Sequence, residues 1–284
     1  MKIAVCSASG QLGSAIVNQL KAQIGAEQLI GIARTPAKAE KLGIEIRKGD
    51  YNSLEEFKVA LKGVNKVLLV SGMDAPEKRI PQHRNVIEAA VYNGVGKIVY
   101  TSIIGAEKDT AFSPIVQSNR QTEEDVKNSG LSYAIGRNGI YIEPDLEYIE
   151  TYKKEGGIRN CAGDGKCVYT SRDELAFAYS RLLLHDQLEG KSYNLCGPAI
   201  SQAELAVLIN EVYKTNLNFQ SVSVESYRRE RQAALGDFLG TVIAGIYEGI
   251  RNGANDVPSN YAEVAGRAHK SILEIVRDFY QGQN

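Results

Sequence analysis

Small residues at positions 7, 10 and 13 have the spacing of a phosphate-binding turn. The segment from Cys6 to Gly13 follows the apolar run Ile3–Val5 and precedes a stretch whose apolar residues have helical spacing. In such a turn, backbone N–H groups and the positive end of the helix face a diphosphate, and side chains would block its close approach. The segment therefore predicts a dinucleotide site with contacts from Ser7, Ser9, Gly10, Gln11, Leu12 and Gly13.

Ser7 stands where the pattern G-x-x-G-x-x-G has its first glycine. A serine there must keep an ordinary backbone angle or adopt a left-handed one, which costs about 1 kcal/mol or more. Two alternatives to a dinucleotide site therefore stay open. One is an ordinary strand-to-helix turn with unrelated glycines, and the other is a chain that binds no nucleotide.

Two cations follow the second apolar run, Leu29–Ala33. NAD sites place an acidic residue near this point to bind the ribose 2′-hydroxyl, whereas Arg34 and Lys38 suit a 2′-phosphate. The pair favours NADPH (NADP) over NAD, although a solvated charge at a strand end is the alternative for Arg34 taken alone. Asp50, after the third predicted strand, is either a partner for an adenine amino group or a surface carboxylate.

The charge pattern and composition exclude several classes of function. The 284 residues carry a net charge of −1, without a basic stripe for nucleic acid or a polybasic segment for a membrane surface. No apolar run approaches the roughly 20 residues of a spanning helix, and the first strand begins too early for a signal peptide, so a cytoplasmic protein is expected. The four cysteines lack CxxC spacing and the three histidines lack metal-ligand spacing, so no metal site is expected.

Strand-like and helix-like segments alternate through the first half of the chain. The predicted strands after the first two cover 44–47, 66–70, 97–102 and 131–135, and the predicted helices after the first begin near Ser53, Arg79 and Ser118. Short apolar strands joined by helices predict an α/β fold with a Rossmann-type, doubly wound parallel sheet.

The alternation stops after Tyr141. Residues 225–281 have mostly helical spacing and predict a smaller lobe that closes over the sheet edge. We expect a dinucleotide-binding domain at 1–155 and a smaller, mostly helical substrate or lid lobe at 156–284, from which one helix and strand, about 171–196, return to the main sheet. The apolar faces of the long third helix and of the tail are compatible with lid packing or with a homodimer.

Eight short motifs follow one another along about two-thirds of the chain. They are Ser9–Gly13, Ala33–Ala39, Gly49–Tyr51, Gln82–Ile87, Tyr100–Ser102, Thr122–Glu123, Arg137–Tyr141 and Ala162–Gly165. Their order resembles the NmrA-like branch of the atypical short-chain dehydrogenase/reductase family. Within that branch the chain is similar to the bacterial NAD(P)H:quinone oxidoreductases and triphenylmethane reductases.

The resemblance implies a Rossmann domain with a small C-terminal lobe and NADPH as the cofactor. By it, Ser71 and Gly72 lie beneath the central part of the cofactor, Ser102 lies near the nicotinamide, and Tyr141 lines the substrate mouth. Beyond the glycine turn, the cofactor-binding residues that it implies are Arg34, Lys38, Asp50, Tyr51, Ser71, Gly72 and Ser102.

The chain departs from the family where a catalytic tyrosine and lysine are usual. In the family pattern the tyrosine polarises the substrate carbonyl, and a lysine four residues later lowers the tyrosine pKa and holds the ribose. Ile115 and Asn119 occupy those positions here, and the reductase branch has a histidine in place of Asn119. Asn119 can hydrogen-bond a ribose or a nicotinamide amide but cannot transfer a proton. The expected catalytic residues are Ser102, Asn119 and Tyr141, without tyrosine-based carbonyl chemistry.

Two functions fit this set of residues. The first is an NADPH-dependent oxidoreductase that reduces quinones or similar conjugated aromatic electrophiles by hydride transfer, since the resulting oxyanion can take its proton from water. Tyr141, Tyr148 and Tyr152 would form an aromatic wall for this small substrate, with ordinary helix packing as the alternative for the last two. The second is a catalytically weak or inactive NADP(H)-binding sensor of the NmrA type, which the missing tyrosine and lysine favour.

Overall fold

The central sheet is built from seven short strands, of which β1 and β2 are buried along their whole length, as expected of strands covered on both faces. The computed structural model describes residues 1–283. Its strands are β1 Ile3–Cys6, β2 Leu29–Ala33, β3 Glu45–Lys48, β4 Lys66–Leu69, β5 Lys97–Ile103, β6 Ser132–Asn138, β7 Ile140–Tyr141, β8 Gly157–Asn160, β9 Lys166–Thr170, β10 Lys191–Leu195, β11 Ala199–Ser201 and β12 Asn218–Ser221.

The strand order of this sheet, β10-β6-β5-β4-β1-β2-β3, is that of a doubly wound fold, and its pairings are parallel. Strand β1 lies between β2 and β4, so the chain first builds the sheet toward one edge and then returns to build the other. At such a reversal, the carboxyl ends of the two strands open a crevice in which ligands bind. The predicted Rossmann-type α/β fold is confirmed, and its crevice lies above the ends of β1 and β4.

Helices cover both faces of the sheet. They are α1 Gln11–Ile24, α2 Leu54–Ala60, α3 Pro76–Tyr92, α4 Ser113–Lys127, α5 Glu143–Glu147, α6 Ile149–Glu155, α7 Arg172–Leu184, α8 Gln202–Tyr213, α9 Val224–Leu235, α10 Asp237–Arg251, α11 Tyr261–Ala265 and α12 Ile272–Gln281. Side chains alternate along a strand, so Ile3 and Val5 join the core beneath α1 and α7, whereas Ala4 and Cys6 join the core beneath α2 and α3.

Helix α4 begins at Ser113, so the predicted start at Ser118 is wrong. Pro114 lies in the first turn, where its fixed φ suits a helix start, and Val116 is fully buried beside Gly105 in the loop after β5. Ser118 is an interior residue of the helix, and its hydroxyl donates to the carbonyl oxygen of Ile115 at 2.7 Å. The spacing of Ser118 and Gln121 resembles that of an N-terminal helix cap. However, the preceding turn is partly buried and helical, so these residues lie inside the helix.

The C-terminal part contains two small sheets whose strands were only partly predicted. Strands β7, β9 and β11 form one, and β8 and β12 form the other. Strand β8 has no counterpart among the predicted strands, and Gly157 within it is packed so closely that a Cβ would lie 2.2 Å from the carbonyl oxygen of Asn218. Strand β10 pairs with β6 and extends the central sheet. Strand β7, before residue 155, pairs with β9, after it. The two parts therefore share a sheet, and a domain boundary near residue 155 stays a prediction.

Helix α10 brings the C-terminal part against the loop that precedes α4. A Cβ added to Gly245 would lie 2.3 Å from the backbone nitrogen of Phe112. The Glu248 carboxylate accepts a hydrogen bond from the backbone N–H of Ala111 at 3.3 Å. None of the helices within residues 1–283 has the length and hydropathy that a bilayer-spanning segment needs.

Candidate functional site

The turn after β1 has the compact shape that its glycines predicted. Ser7 adopts a left-handed backbone with a φ of 51°, and its carbonyl oxygen accepts the N–H of Gly10 at 2.9 Å. A Cβ on Gly13 would lie 2.3 Å from that same oxygen. Ser9, Gly10 and the first residue of α1, Gln11, are exposed at the mouth of the crevice, while Leu12 is buried. The turn therefore presents its backbone outward and needs a glycine at position 13.

Ser7 is held in its left-handed conformation by Tyr51. The Ser7 hydroxyl donates to the Tyr51 hydroxyl at 3.2 Å, which in turn donates to the carbonyl oxygen of Val70 at 2.6 Å. The Tyr51 ring stacks on Phe57 with a centroid distance of 5.5 Å. A left-handed non-glycine residue costs about 1–2 kcal/mol, and a hydrogen bond returns about 1 kcal/mol. The serine therefore replaces the expected glycine at little net cost, and Tyr51 supports the turn from beneath.

The two cations expected at the 2′-phosphate are available for binding. Arg34 directly follows β2, Lys38 ends a 3-10 turn at Pro36–Lys38, and both side chains are exposed. Within residues 1–283 neither forms an ion pair with a carboxylate. Asp50 follows β3, and one of its oxygens accepts hydrogen bonds from the backbone and side-chain nitrogens of Asn52, each at 2.9 Å. Arg34 thus lies at the carboxyl end of β2, and Lys38 lies four residues further along the chain. Both cations follow the strand end that borders the crevice.

The exit of β4 is fixed by two buried side chains. Ser71 N–H donates to the hydroxyl of Thr101 at 2.8 Å, and Gly72 N–H donates to Nε2 of His83 at 2.9 Å. The other ring nitrogen of His83 lies 2.9 Å from the hydroxyl of Thr122. Because Nε2 accepts a hydrogen bond, the assigned state is a neutral imidazole that carries its proton on Nδ1. His83 therefore positions the crevice floor and leaves the Gly72 N–H unavailable to a ligand.

Asn119 is the centre of a buried hydrogen-bond cluster. Its Oδ1 accepts from the Tyr100 hydroxyl at 2.7 Å, the Ser71 hydroxyl at 3.2 Å and Arg79 Nη2 at 3.3 Å. Its Nδ2 donates to the Ile115 carbonyl oxygen at 2.8 Å, and the residue is fully buried. Asn119 thus connects α4 to the exit of β4 through Ser71, and its own amide is enclosed by protein in this arrangement.

Ser102 lies on β5 and faces α4. Its hydroxyl donates to Oε1 of Glu123 at 2.6 Å, and Arg137 forms two further hydrogen bonds to that carboxylate at 2.9 and 2.6 Å. Burial opposes ionisation of Glu123, but the bonds from Arg137 and Ser102 hold its pKa below the usual value. Ser102 is itself fully buried, so its hydroxyl is engaged by this carboxylate.

Tyr141 lies at the end of β7, in a network separate from that of Ser102. Its hydroxyl accepts from Asn138 Nδ2 at 3.0 Å, and Asn138 Oδ1 accepts from the Tyr179 hydroxyl at 2.6 Å. Burial raises the pKa of Tyr141 to about 12, so the phenol stays protonated near neutral pH. The structure therefore brings Ser71 and Asn119 together, and it places Ser102 in the central sheet and Tyr141 in a separate small sheet, without a shared hydrogen bond.

Tyr152 is not available for the expected aromatic wall, because its side chain is engaged within the protein. This residue is buried, and its hydroxyl donates to Asp145 at 2.6 Å. Its ring packs edge-to-face on Tyr148 with a centroid distance of 5.4 Å, and Tyr148 is 43% exposed. Helix packing therefore accounts for Tyr152, while Tyr148 presents a ring to solvent.

One face of α3 organises the crevice, although none of its residues was predicted to belong to the site. Arg79 binds Ser71 and Asn119, Gln82 donates to Asn52 and Asp74, His83 binds Gly72, and Asn85 donates to the Tyr51 carbonyl oxygen. We call these four residues, Arg79, Gln82, His83 and Asn85, the α3 polar face. Polar residues spaced by three and four on a helix whose other buried positions are apolar were the available signal.

Stability should depend on pH through His83. Burial, followed by the positive charge of Arg79, lowers the pKa of His83 from 6.5 to about 3. Between these values the unfolded chain binds a proton that the folded chain does not, so stability is complete above pH 6.5 and falls as the pH decreases. The slope approaches about 1.4 kcal/mol per pH unit.

The His83→Gln variant isolates this contribution, because its amide oxygen can still accept the Gly72 N–H. Urea unfolding from pH 7 to 4.5 should show a shallower loss of stability for the variant than for the wild type. Equal slopes for the two proteins would contradict the assignment of a neutral, buried His83.

Comparison with known proteins indicates an NAD(P)H cofactor, the same class that the geometry of the site favours. The model of a family described as NAD(P)H-binding matches residues 7–177. Quinone oxidoreductase 2 of Escherichia coli (strain K12) is 32% identical over 99% of this chain and 100% of its own length. Its crystal structure with NADPH superposes with a TM-score of 0.90 and 31% identity, covering 98% of this chain and 99% of that one.

Two further relatives belong to the branch expected from the motifs. The triphenylmethane reductase of Citrobacter sp., solved with NADP(H), has a TM-score of 0.90 and 31% identity over 98% of this chain and 99% of its own. An NmrA-like family domain-containing oxidoreductase of Aspergillus flavus is 29% identical over 94% of this chain and 91% of its length. The expected class, an NAD(P)H-dependent oxidoreductase, is confirmed at this level. The chain belongs to the NAD(P)H-binding family, in the NmrA-like branch of the atypical short-chain dehydrogenases/reductases.

Proposed function

We propose that this protein uses NADPH to reduce quinones or similar flat, conjugated electrophiles by hydride transfer. The observation that carries the proposal is its full-length likeness to a quinone oxidoreductase and a triphenylmethane reductase, each solved with the cofactor. The glycine turn offers backbone amides to a diphosphate. The exposed cations at positions 34 and 38, which form no ion pair within the described residues, offer positive charge to a 2′-phosphate, and both features fit NADPH.

In this proposal the cofactor lies along the carboxyl edge of the sheet. The amides of the glycine turn hold the diphosphate, and Arg34 and Lys38 hold the 2′-phosphate. Asp50 and Tyr51 lie toward the adenosine end, and Ser71 and Gly72 form the floor beneath the central part. The bound cofactor supplies the hydride.

The acceptor end needs little proton chemistry from the protein. Ser102, Asn119 and Tyr141 define this end of the crevice by position rather than as proton donors. Asn119 has no titratable group, and the raised pKa of Tyr141, about 12, makes its phenol a weak acid. A quinone spreads the charge that it receives over its ring, so water can deliver the proton afterwards. Orientation of the acceptor against the nicotinamide is then the main contribution of the site.

Purified protein should oxidise NADPH in the presence of a panel of benzoquinones and naphthoquinones. The measurement is the loss of NADPH absorbance, with identification of the hydroquinone product. The Gly13→Ala variant provides the control, because it should lack the cofactor site. Turnover no greater than that of this variant, in wild-type protein shown to bind NADPH, would contradict the proposal.

That last outcome would favour the alternative, an NADP(H)-binding sensor that acts through a partner protein. The observation in its favour is the replacement of the family tyrosine and lysine by Ile115 and Asn119, of which Asn119 is enclosed in a structural cluster. Such a protein would bind NADPH without consuming it.

A further inference from the structure

A buried positive charge without a carboxylate partner lies beside the crevice. Arg79 is 4% exposed, and within residues 1–283 it forms no ion pair. Its Nη2 donates to two neutral side chains, Ser71 and Asn119, and its Nε is buried without an acceptor. The nearby carboxylate of Asp74 instead accepts a hydrogen bond from Gln82 at 2.6 Å. A charge that is buried and left without a counter-ion marks a candidate functional group.

Arg79 lies directly behind the crevice floor. Its Nη2 is 2.5 Å from the hydroxyl of Ser71, a half-buried residue at the exit of β4. The same nitrogen is 3.3 Å from Oδ1 of Asn119, the residue at the position of the family lysine. The Arg79 guanidinium on α3 therefore brings a positive charge close to position 119 of α4, where this chain has a neutral asparagine. The arrangement also needs a neutral residue at 119, because a lysine there would repel Arg79.

We propose that Arg79 replaces the positive charge of the missing lysine and makes the crevice bind the reduced cofactor more tightly than the oxidised one. The inference rests on the proposed function, because it requires the nicotinamide end of the cofactor to lie near Ser71 and Asn119. The two cofactor forms carry the same phosphates, but the oxidised nicotinamide ring has one additional positive charge. A cation behind the floor repels that ring and leaves the neutral reduced ring unaffected. It thereby makes the bound reduced cofactor a somewhat weaker hydride donor, and it favours release of the oxidised cofactor after the hydride has left.

The expected size of this effect follows from Coulomb's law. Two unit charges about 10 Å apart, at an effective dielectric constant of about 20, repel enough to change an equilibrium constant by about tenfold. A buried charge is screened by salt much less than an exposed one. Arg34 and Lys38 do not contribute to the difference, because the 2′-phosphate that they face is the same in both forms.

The test compares the affinities of NADPH and NADP⁺ for wild-type protein and three variants, measured by isothermal titration calorimetry at one ionic strength. Arg79→Met removes the charge and keeps the length of the side chain, and Arg79→Lys keeps the charge. Arg84→Met is the matched control, because Arg84 lies on the same helix with its side chain 55% exposed and paired with Asp125. Thermal unfolding of each variant checks the fold, and Arg79→Gln replaces Arg79→Met should the latter not fold.

In the wild type we expect NADPH to bind more tightly than NADP⁺. Arg79→Met should reduce the ratio of the two dissociation constants about tenfold, whereas Arg79→Lys and Arg84→Met should preserve it. Equal weakening of both cofactor forms in Arg79→Met would overturn the inference and leave Arg79 as a residue that only positions Ser71. A ratio in Arg79→Lys as low as that in Arg79→Met would also overturn it. A wild-type protein that binds neither form would refute the proposed function itself.

Discussion

The Gly13→Ala variant should lose NADPH binding, with an affinity lower by on the order of a hundredfold or more. The added Cβ would lie 2.3 Å from the carbonyl oxygen of Ser7 and 2.9 Å from its carbonyl carbon. Both are backbone atoms of a turn already in a left-handed conformation, so the turn must open and its amides must turn away from the diphosphate. Overpacking of this kind also lowers the free energy of unfolding by about 1–3 kcal/mol. Calorimetric titration with NADPH and urea unfolding measure the two effects.

Gly96→Ala is the matched control for this substitution. Gly96 is exposed at the amino edge of the sheet, and the nearest atom to an added Cβ is the carbonyl oxygen of Asn65 at an ordinary 3.4 Å. Its affinity for NADPH should equal that of the wild type. Retention of normal affinity by Gly13→Ala would show that the cofactor does not use this turn.

The Arg34→Ala variant should bind NADPH about a hundredfold more weakly and NADH as well as the wild type does. Charge-assisted hydrogen bonds contribute about 1.5–3 kcal/mol, and only NADPH carries the phosphate that the guanidinium would face. Because Arg34 forms no ion pair within residues 1–283, the substitution leaves no carboxylate unpaired and should not change the fold. Titration of both cofactors against both proteins gives the selectivity directly.

Lys41→Ala controls for the general loss of an exposed positive charge. Lys41 is an exposed cation in the 3-10 turn Glu40–Leu42, seven positions beyond Arg34 in the sequence. Its removal should leave the preference for NADPH intact. An equal loss of NADPH and NADH affinity in Arg34→Ala would remove the assignment of a 2′-phosphate site.

The fold could be predicted because its signals are local. Buried parallel strands are continuous apolar runs, and the turn after β1 needs small residues, so both are visible in a few consecutive letters. The start of α4 was missed because the decisive fact is tertiary. Burial of Val116 beside the loop after β5 extends the helix upstream of a Ser-x-x-Gln spacing that looks like a cap. Strand β8 was missed for a similar reason, since its partner, β12, lies some sixty residues away in the sequence.

The backbone positions of the site residues could be predicted from the sequence, but the hydrogen bonds of their buried polar side chains could not. Sequence spacing gives which residues follow each strand, so the positions of Arg34, Ser71 and Gly72 at the sheet edge could be foreseen. Sequence spacing does not show which side chains form hydrogen bonds inside the protein and are therefore not available to a ligand. Asn119 was expected to be a catalytic residue, yet three donors, from β5, α3 and the exit of β4, converge on its oxygen. The cofactor and catalytic roles of the individual residues stay predictions, of which the variants above test those of Gly13 and Arg34.

The α3 polar face has a consequence for how an elongated ligand is received. Helix α3 is hydrogen-bonded to the segment after β3 through Tyr51 and to the exit of β4 through Gly72. Through Arg79 it is tied to Asn119 on α4 as well. The segments that follow β3 and β4 and the middle of α4 are therefore all hydrogen-bonded to one helix. A long ligand laid along this edge of the sheet would meet segments that share a common support, and a substitution on that helix would be felt at more than one point along the ligand.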